Sequence, residues 1–230
     1  LNKNMTSAQC LHGISILKKM EIGFDYGFLL FNPWSGSKEV NNNLDYLKQI
    51  CCDGFTSASF LKLMPYYETR VENELLKEGR LKFTAGLRDY DFLSEPMNRF
   101  FDFVQLCFHE WLNERNGIYN LSRWTRNYFL VYSRLFGNDD LFNNLRHSFT
   151  TIIAESNMFL ISTLKDVLKL FASCGYKNPE HGLLTTIQNN IEDRQKYFRA
   201  KIENCSGMLY SLALKNAMNK ILNEGLKVVL

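Results

Sequence analysis

Two short apolar runs, Phe24 to Phe31 and Ser57 to Met64, flank a segment in which Val40, Leu44, Leu47 and Cys51 recur at helical spacing. Runs this short and rich in aromatics suit strands covered on both faces. The turn cluster Asn32-Pro33-Trp34-Ser35-Gly36-Ser37 closes the first run, Gly54 stops the helical segment and Pro65 ends the second run. Strand, helix and strand in that order form a βαβ unit, whose strands are expected to be parallel neighbours joined by a right-handed crossover. Two parallel strands alone leave their edges and much of an apolar face unpaired. The unit is therefore expected to complete a larger sheet or barrel, and a chain that opens at Leu1, directly on a helix start, reads as truncated.

Helices flank the unit. Thr6 with Gln9 makes a capping box for a first helix carrying Leu11, Ile14 and Leu17 and closed by Gly23, and Thr69 with Glu72 repeats that signature for a helix stopped at Gly79. Residues 79–90 read as a linker. From Asp91 onward strand signals vanish, and helical stretches are expected over 97–116, 121–136 and 140–173, the last with a break near Ser156-Asn157. One or two more cover Leu183 to Asn223, and no internal repeat or low-complexity segment occurs. Phe100, Phe101, Phe103, Val104, Phe108 and Trp111 spread around more than one side of the first of these helices, so it should be buried between neighbours.

With 230 residues, 46% of them hydrophobic and 22% charged, the chain has enough apolar material for a real core. Twenty-seven Lys and Arg against 24 Asp and Glu leave a net charge of +3, which is no basic footprint for nucleic acid. No apolar stretch approaches the roughly 20 residues needed to span a bilayer, and the amino end has no signal-peptide core. A cytoplasmic location with reduced thiols is expected. The six cysteines are scattered apart from Cys51 and Cys52, and read as small buried hydrophobes.

Self-sufficient catalytic motifs are missing. His109-Glu110-Trp111-Leu112-Asn113 begins like a zinc-protease H-E-x-x-H but ends in Asn113, so the second imidazole is absent. His12, His147 and His181 are far apart, and no C-x-x-C pair, phosphate-binding glycine loop or G-x-S-x-G elbow occurs. Arg123 and Arg126 interleave with Trp124, Tyr128 and Tyr132 in a pattern that stacks bases in some proteins. On a helix the three aromatics share a face and are expected to pack as core or cover. Ligands of parallel α/β folds sit outside the carboxyl ends of the strands, here Phe31-Asn32-Pro33-Trp34-Ser35 and Met64-Pro65-Tyr66-Tyr67-Glu68-Thr69. Prolines set these loops, aromatics offer cover for a flat ring, and hydroxyl and amide groups offer edge contacts.

At these same residues the sequence resembles the closing part of a radical S-adenosylmethionine (SAM) enzyme barrel. Leu1-Asn2-Lys3-Asn4-Met5-Thr6 is similar to the family's "lnKgmT" before the helix that precedes the fifth strand, and Ile16 to Gly23 to the "lrelGi" that ends that helix. Gly27 to Ser35 stands where the family has "GfilGlPgeT", and Phe60 to Thr69 followed by Glu74 to Leu81 where it has "l.PypGTpl…l.keGrl". The likeness covers residues 1–83. Phe31 and Trp34 replace glycines, as in the subgroup with an amino-terminal cobalamin-binding domain, and Glu68 replaces the glycine of "PypGT". The C-x-x-x-C-x-x-C loop whose thiolates hold the four-iron four-sulfur cluster is absent.

The resemblance implies an α/β part followed by an all-α part: residues 1–90 as the last two βα units of a partial TIM-type radical SAM barrel, with strands at about 24–31 and 57–64, and residues 91–230 as a helical bundle. Cluster, first four strands and any cobalamin domain would lie upstream, in the missing amino-terminal part of the same enzyme. The full-length enzyme would reductively cleave SAM to a 5′-deoxyadenosyl radical, while this chain alone would be inactive and bind no cofactor. Phe31, Asn32, Leu63, Pro65 and Tyr66 would form part of the adenosyl or substrate wall, and the helical half a cap over the strands' carboxyl ends. The other readings are a helical protein-interaction module with no catalysis of its own, and a fragment with no independent function.

Overall fold

A computed structural model describes residues 5–175 and 177–228, with side chains through Leu222. Leu1 to Asn4 of the leading motif lie outside the described residues. Helix α1 (Ser7–Lys19) starts on the expected box: the Thr6 backbone N–H donates to Gln9 Oε1 at 2.8 Å and the Gln9 N–H to Thr6 Oγ1 at 3.2 Å. None of its residues is buried. Strand β1 (Leu29–Phe31), helix α2 (Ser37–Cys51) and strand β2 (Leu61–Lys62) form the βαβ unit, and β1 and β2 pair in parallel. Helix α3 (Arg70–Lys77) follows. Its Thr69 cap accepts from the Glu72 N–H at 3.3 Å, but the Glu72 carboxylate turns to the Glu68 N–H at 2.6 Å and to Arg88, so the expected box is half formed.

Three expectations are corrected. The strands are shorter than 24–31 and 57–64, because the loop entering β2 bonds to side chains and not to a neighbouring strand. The stretch read as a linker is a hairpin, β3 (Leu81–Thr84) antiparallel to β4 (Leu87–Tyr90), turning through Ala85 and Gly86, both at positive φ. The third is the break near Ser156-Asn157. Helix α6 (Asp140–Cys174) runs through it unbroken, since both residues are buried and hydrogen-bonded.

Helices α4 (Glu95–Asn113), α5 (Ile118–Phe136), α6 and α7 (His181–Val228) make up the rest, so the chain is mostly helical with two small sheets and no closed barrel among the described residues. One continuous core joins the halves. Phe31, fully buried, meets Phe60, Phe92, Phe100 and Phe101 at ring separations of 5.2 to 6.1 Å, and α6 packs along α2 and α4. Phe100, Phe103, Val104, Phe108 and Trp111 are buried between neighbours as the pattern of α4 requires. Lys62 pins the hairpin to the sheet: its ammonium donates to Asp89 at 2.6 Å and to the Tyr90 carbonyl at 2.8 Å, over the rings of Tyr90 and Phe101.

Candidate functional site

The parallel pair brings the two carboxyl-end loops side by side, and each is held in its own way. Asn32 forms a closed turn: its Oδ1 accepts from the Trp34 N–H at 3.0 Å, its N–H donates to Ser35 Oγ at 2.9 Å, and its carbonyl accepts from the Ser35 N–H at 3.0 Å. In the second loop the Tyr66 carbonyl accepts from Thr69 Oγ1 at 2.7 Å, and Glu68 sits at φ 58°. That left-handed backbone favours glycine, and Glu68 stands where "PypGT" has one. Leu63 extends the pairing by donating its N–H to the Phe31 carbonyl at 2.8 Å.

Of the five wall residues, Asn32 and Leu63 are half-buried, Tyr66 is 68% exposed, and Phe31 and Pro65 are buried. Phe31 therefore braces the site from within the aromatic core. Trp34, Met64 and Tyr67 are exposed beside Tyr66. Of the helical half, α4 reaches this end of the sheet through Phe100 and Phe101, which pack on Phe31. The entry to the hairpin flanks the loops: Arg80 donates to the Pro33 carbonyl at 2.8 Å and to the Asp91 carbonyl at 2.7 Å, and Trp34 Nε1 donates to Glu78 at 3.3 Å. Hydrogen bonds from Arg80 and then Trp34 hold the Glu78 carboxyl below its ordinary pKa. Arg80 was not among the expected wall residues, although the "keGrl" likeness spans it and it follows Gly79, where the chain turns back toward the loops.

Helices α5 and α6 grip the opposite, amino end. Asn157, fully enclosed on α6, accepts from the Ala58 N–H at 2.7 Å and donates to the Cys51 carbonyl at 2.7 Å and the Thr56 carbonyl at 2.8 Å. Arg126 on α5 donates to Thr56 at 2.9 Å and pairs with Asp25 at 3.3 Å, and the Ser57 and Ser122 hydroxyls meet in a hydrogen bond. Tyr26 donates to the Ser57 carbonyl at 2.8 Å, and burial raises its pKa well above the ordinary value. Arg126 is thus a buried brace. Of the aromatics beside it only Tyr132 is buried; Trp124 and Tyr128 face solvent, against the expectation that all three pack as core or cover.

No group of three or more His, Cys, Asp or Glu among the described residues is placed to hold a metal ion. No described helix is long and apolar enough to cross a membrane. The remaining face of the sheet is open: Leu61, opposite Leu29 in register, is 52% exposed, with Leu29 and Leu63 half-buried beside it. Compared with protein-family models, curated proteins and solved structures, the chain matches none.

Proposed function

We propose that this chain supplies the closing two βα units of a cytoplasmic radical SAM enzyme's barrel, with a helical domain behind them. The observation that carries the reading is the parallel β1–β2 pair with its helical crossover and an uncovered apolar face at Leu29, Leu61 and Leu63. A barrel turns such a face inward against strands from the rest of the sheet. The left-handed Glu68 supports it, since the turn keeps glycine's conformation where the family uses glycine.

SAM, when bound, supplies the 5′-deoxyadenosyl radical, and the chain's own residues shape its surroundings. The Asn32 turn and the Leu63–Tyr67 loop form adjoining walls, Trp34 and Tyr66 offer rings to cover a flat base, and Arg80 locks the first loop to the hairpin. The cluster's three thiolates come from outside this chain, as does any cobalamin. The test is the reading frame upstream of Leu1, which is expected to encode C-x-x-x-C-x-x-C after a first strand. A complete upstream frame without that loop refutes the proposal.

One observation favours the second reading, a helical interaction module: α5 and α7 leave an apolar groove of about 550 Å3 open to solvent, lined by no residue of the carboxyl-end loops. The two readings are compatible, because the groove and the loops lie on different parts of the molecule.

A further inference from the structure

Helix α7 buries one side, at Ile202, Cys205, Leu209 and Leu212, and presents another to solvent. Glu203, Gly207, Tyr210, Leu214, Ala217 and Ile221 follow one another at alternating spacings of four and three, the 3.5-residue period of a helix-packing seam. Tyr210 is 71% and Ile221 70% exposed, and a Cβ added at Gly207 would meet nothing within 4 Å. On the neighbouring α5, Trp124, Tyr128, Val131 and Leu135 repeat the four-three-four spacing and are all exposed. Tyr128, Val131, Leu135, Gly207 and Tyr210 line the groove between the two helices. Two adjacent helices that both leave such a seam exposed have the geometry to pack two further helices as a four-helix bundle does.

We propose that a second copy of this chain completes the bundle, its α7 lying antiparallel in the α5–α7 groove of the first about a two-fold axis near Leu212. Three features select a second copy as the occupant. The α7 seam is its own complement: under that rotation Tyr210 meets Leu214, the small Gly207 meets Ala217 so that the helices approach closely, and Glu203 meets Ile221. The groove wall on α7, Glu203 to Ala213, is about 15 Å long at 1.5 Å per residue, and the run Leu214 to Leu222 that follows it on the same helix, exposed at Leu214, Met218, Ile221 and Leu222, is about 12 Å. A two-fold pair therefore fills the groove and covers the overhanging run in a single step, in both copies. Charge agrees, since Glu203 on the groove rim falls beside Lys220 of the second copy. The area is also sufficient. Eight exposed large side chains lie on this surface, the four on α5 with Tyr210, Leu214, Met218 and Ile221, and the three aromatics among them each bury about 150–250 Å2 when fully covered. Together they make a patch comparable to the roughly 800 Å2 per partner of a stable interface.

Sedimentation equilibrium of the full 230-residue chain is the test. Interfaces of this size bind at micromolar affinity or better, so twice the 26.9 kDa chain mass is expected at about 50 µM. Tyr210→Glu is expected to raise the dissociation constant at least thirtyfold, with far-UV circular dichroism unchanged because the ring faces solvent. Leu214→Arg is the second variant should the first disturb folding. Glu203→Lys and Lys220→Glu should each weaken the dimer severalfold, and the double variant should recover it. A monomer at that concentration overturns the proposal whatever else binds the groove, as does a dimer that both Tyr210→Glu and Leu214→Arg leave intact. A double variant that fails to recover overturns the antiparallel register.

Discussion

Replacing Asn157 with alanine removes three hydrogen bonds at once from the loop that feeds β2. Its side chain is the partner of the Ala58 N–H and of the Cys51 and Thr56 carbonyls, in a site where Asn157 itself is 2% exposed. An orphaned buried polar group costs about 1–3 kcal/mol. The three groups belong to one short loop that can shift together, so Asn157→Ala is expected to destabilise by about 3–6 kcal/mol, less than the sum of the largest single costs. For a chain of this size that lowers the melting temperature by about 6–24 °C. Asn157→Asp keeps the shape and the bond from Ala58 but aims a carboxylate at two carbonyls. Its carboxyl pKa is raised in the folded state, so its deficit grows as pH rises above the unfolded value and shrinks as pH falls back toward about 4. Urea unfolding followed by far-UV circular dichroism measures both variants, with the exposed Asn144→Ala as a control expected within about 0.5 kcal/mol of the parent. An Asn157→Ala variant within about 1 kcal/mol of the parent would refute the reasoning, because the loop would then be held by something other than this bracket.

Gly54→Ala is expected to cost more than about 3 kcal/mol, since a Cβ at its φ of 79° would stand 2.0 Å from the Thr150 carbonyl oxygen on α6; a neutral effect in thermal unfolding would contradict the close packing. The hydrogen bond from Cys51, with Lys48 and Lys18 nearby, lowers the Cys52 pKa, whereas burial pushes Cys107 to about 12 and raises Cys205. Iodoacetamide at neutral pH followed by peptide mass spectrometry should therefore show Cys52 alkylated ahead of Cys107 and Cys205. Burial opposes ionisation of Asp89, but the Lys62 ammonium and the Tyr90 N–H prevail and hold its pKa below the ordinary value. Its contribution is present above the unfolded carboxylate pKa, about 3.9, and is lost as pH falls below it, so Asp89→Asn should flatten the acid limb of a stability profile.

The helices and the βαβ order were legible because they rest on local signals: Thr6 with Gln9, the spacing of Val40 to Cys51, and the aromatics of α4 all act within a few residues. The hairpin was not, since Ala85-Gly86 lacks the Asn-Gly or Asp-Gly pair that marks such turns and the strands alternate weakly. Asn157 misled for a definite reason. A polar pair inside an apolar helix reads as a break, and only the loop that α2 and β2 bring against it, about 100 residues earlier in the chain, reveals it as a bracket. The carboxyl-end loops were found from chain order alone, but which side chains face outward was not: Phe31 looks like a wall residue until Phe92, Phe100 and Phe101 close around it. The α7 seam escaped notice because a helix with apolar residues on two sides shows little net amphipathic signal.

Cleavage of SAM by the longer protein tests the central claim most directly. The chain extended through its upstream reading frame, reconstituted anaerobically with iron and sulfide and supplied with dithionite and SAM, is expected to release methionine and 5′-deoxyadenosine. The same treatment of the 230-residue chain is expected to yield neither. An extended protein that carries a stoichiometric cluster yet forms no 5′-deoxyadenosine, or a 230-residue chain that forms it alone, would contradict the account.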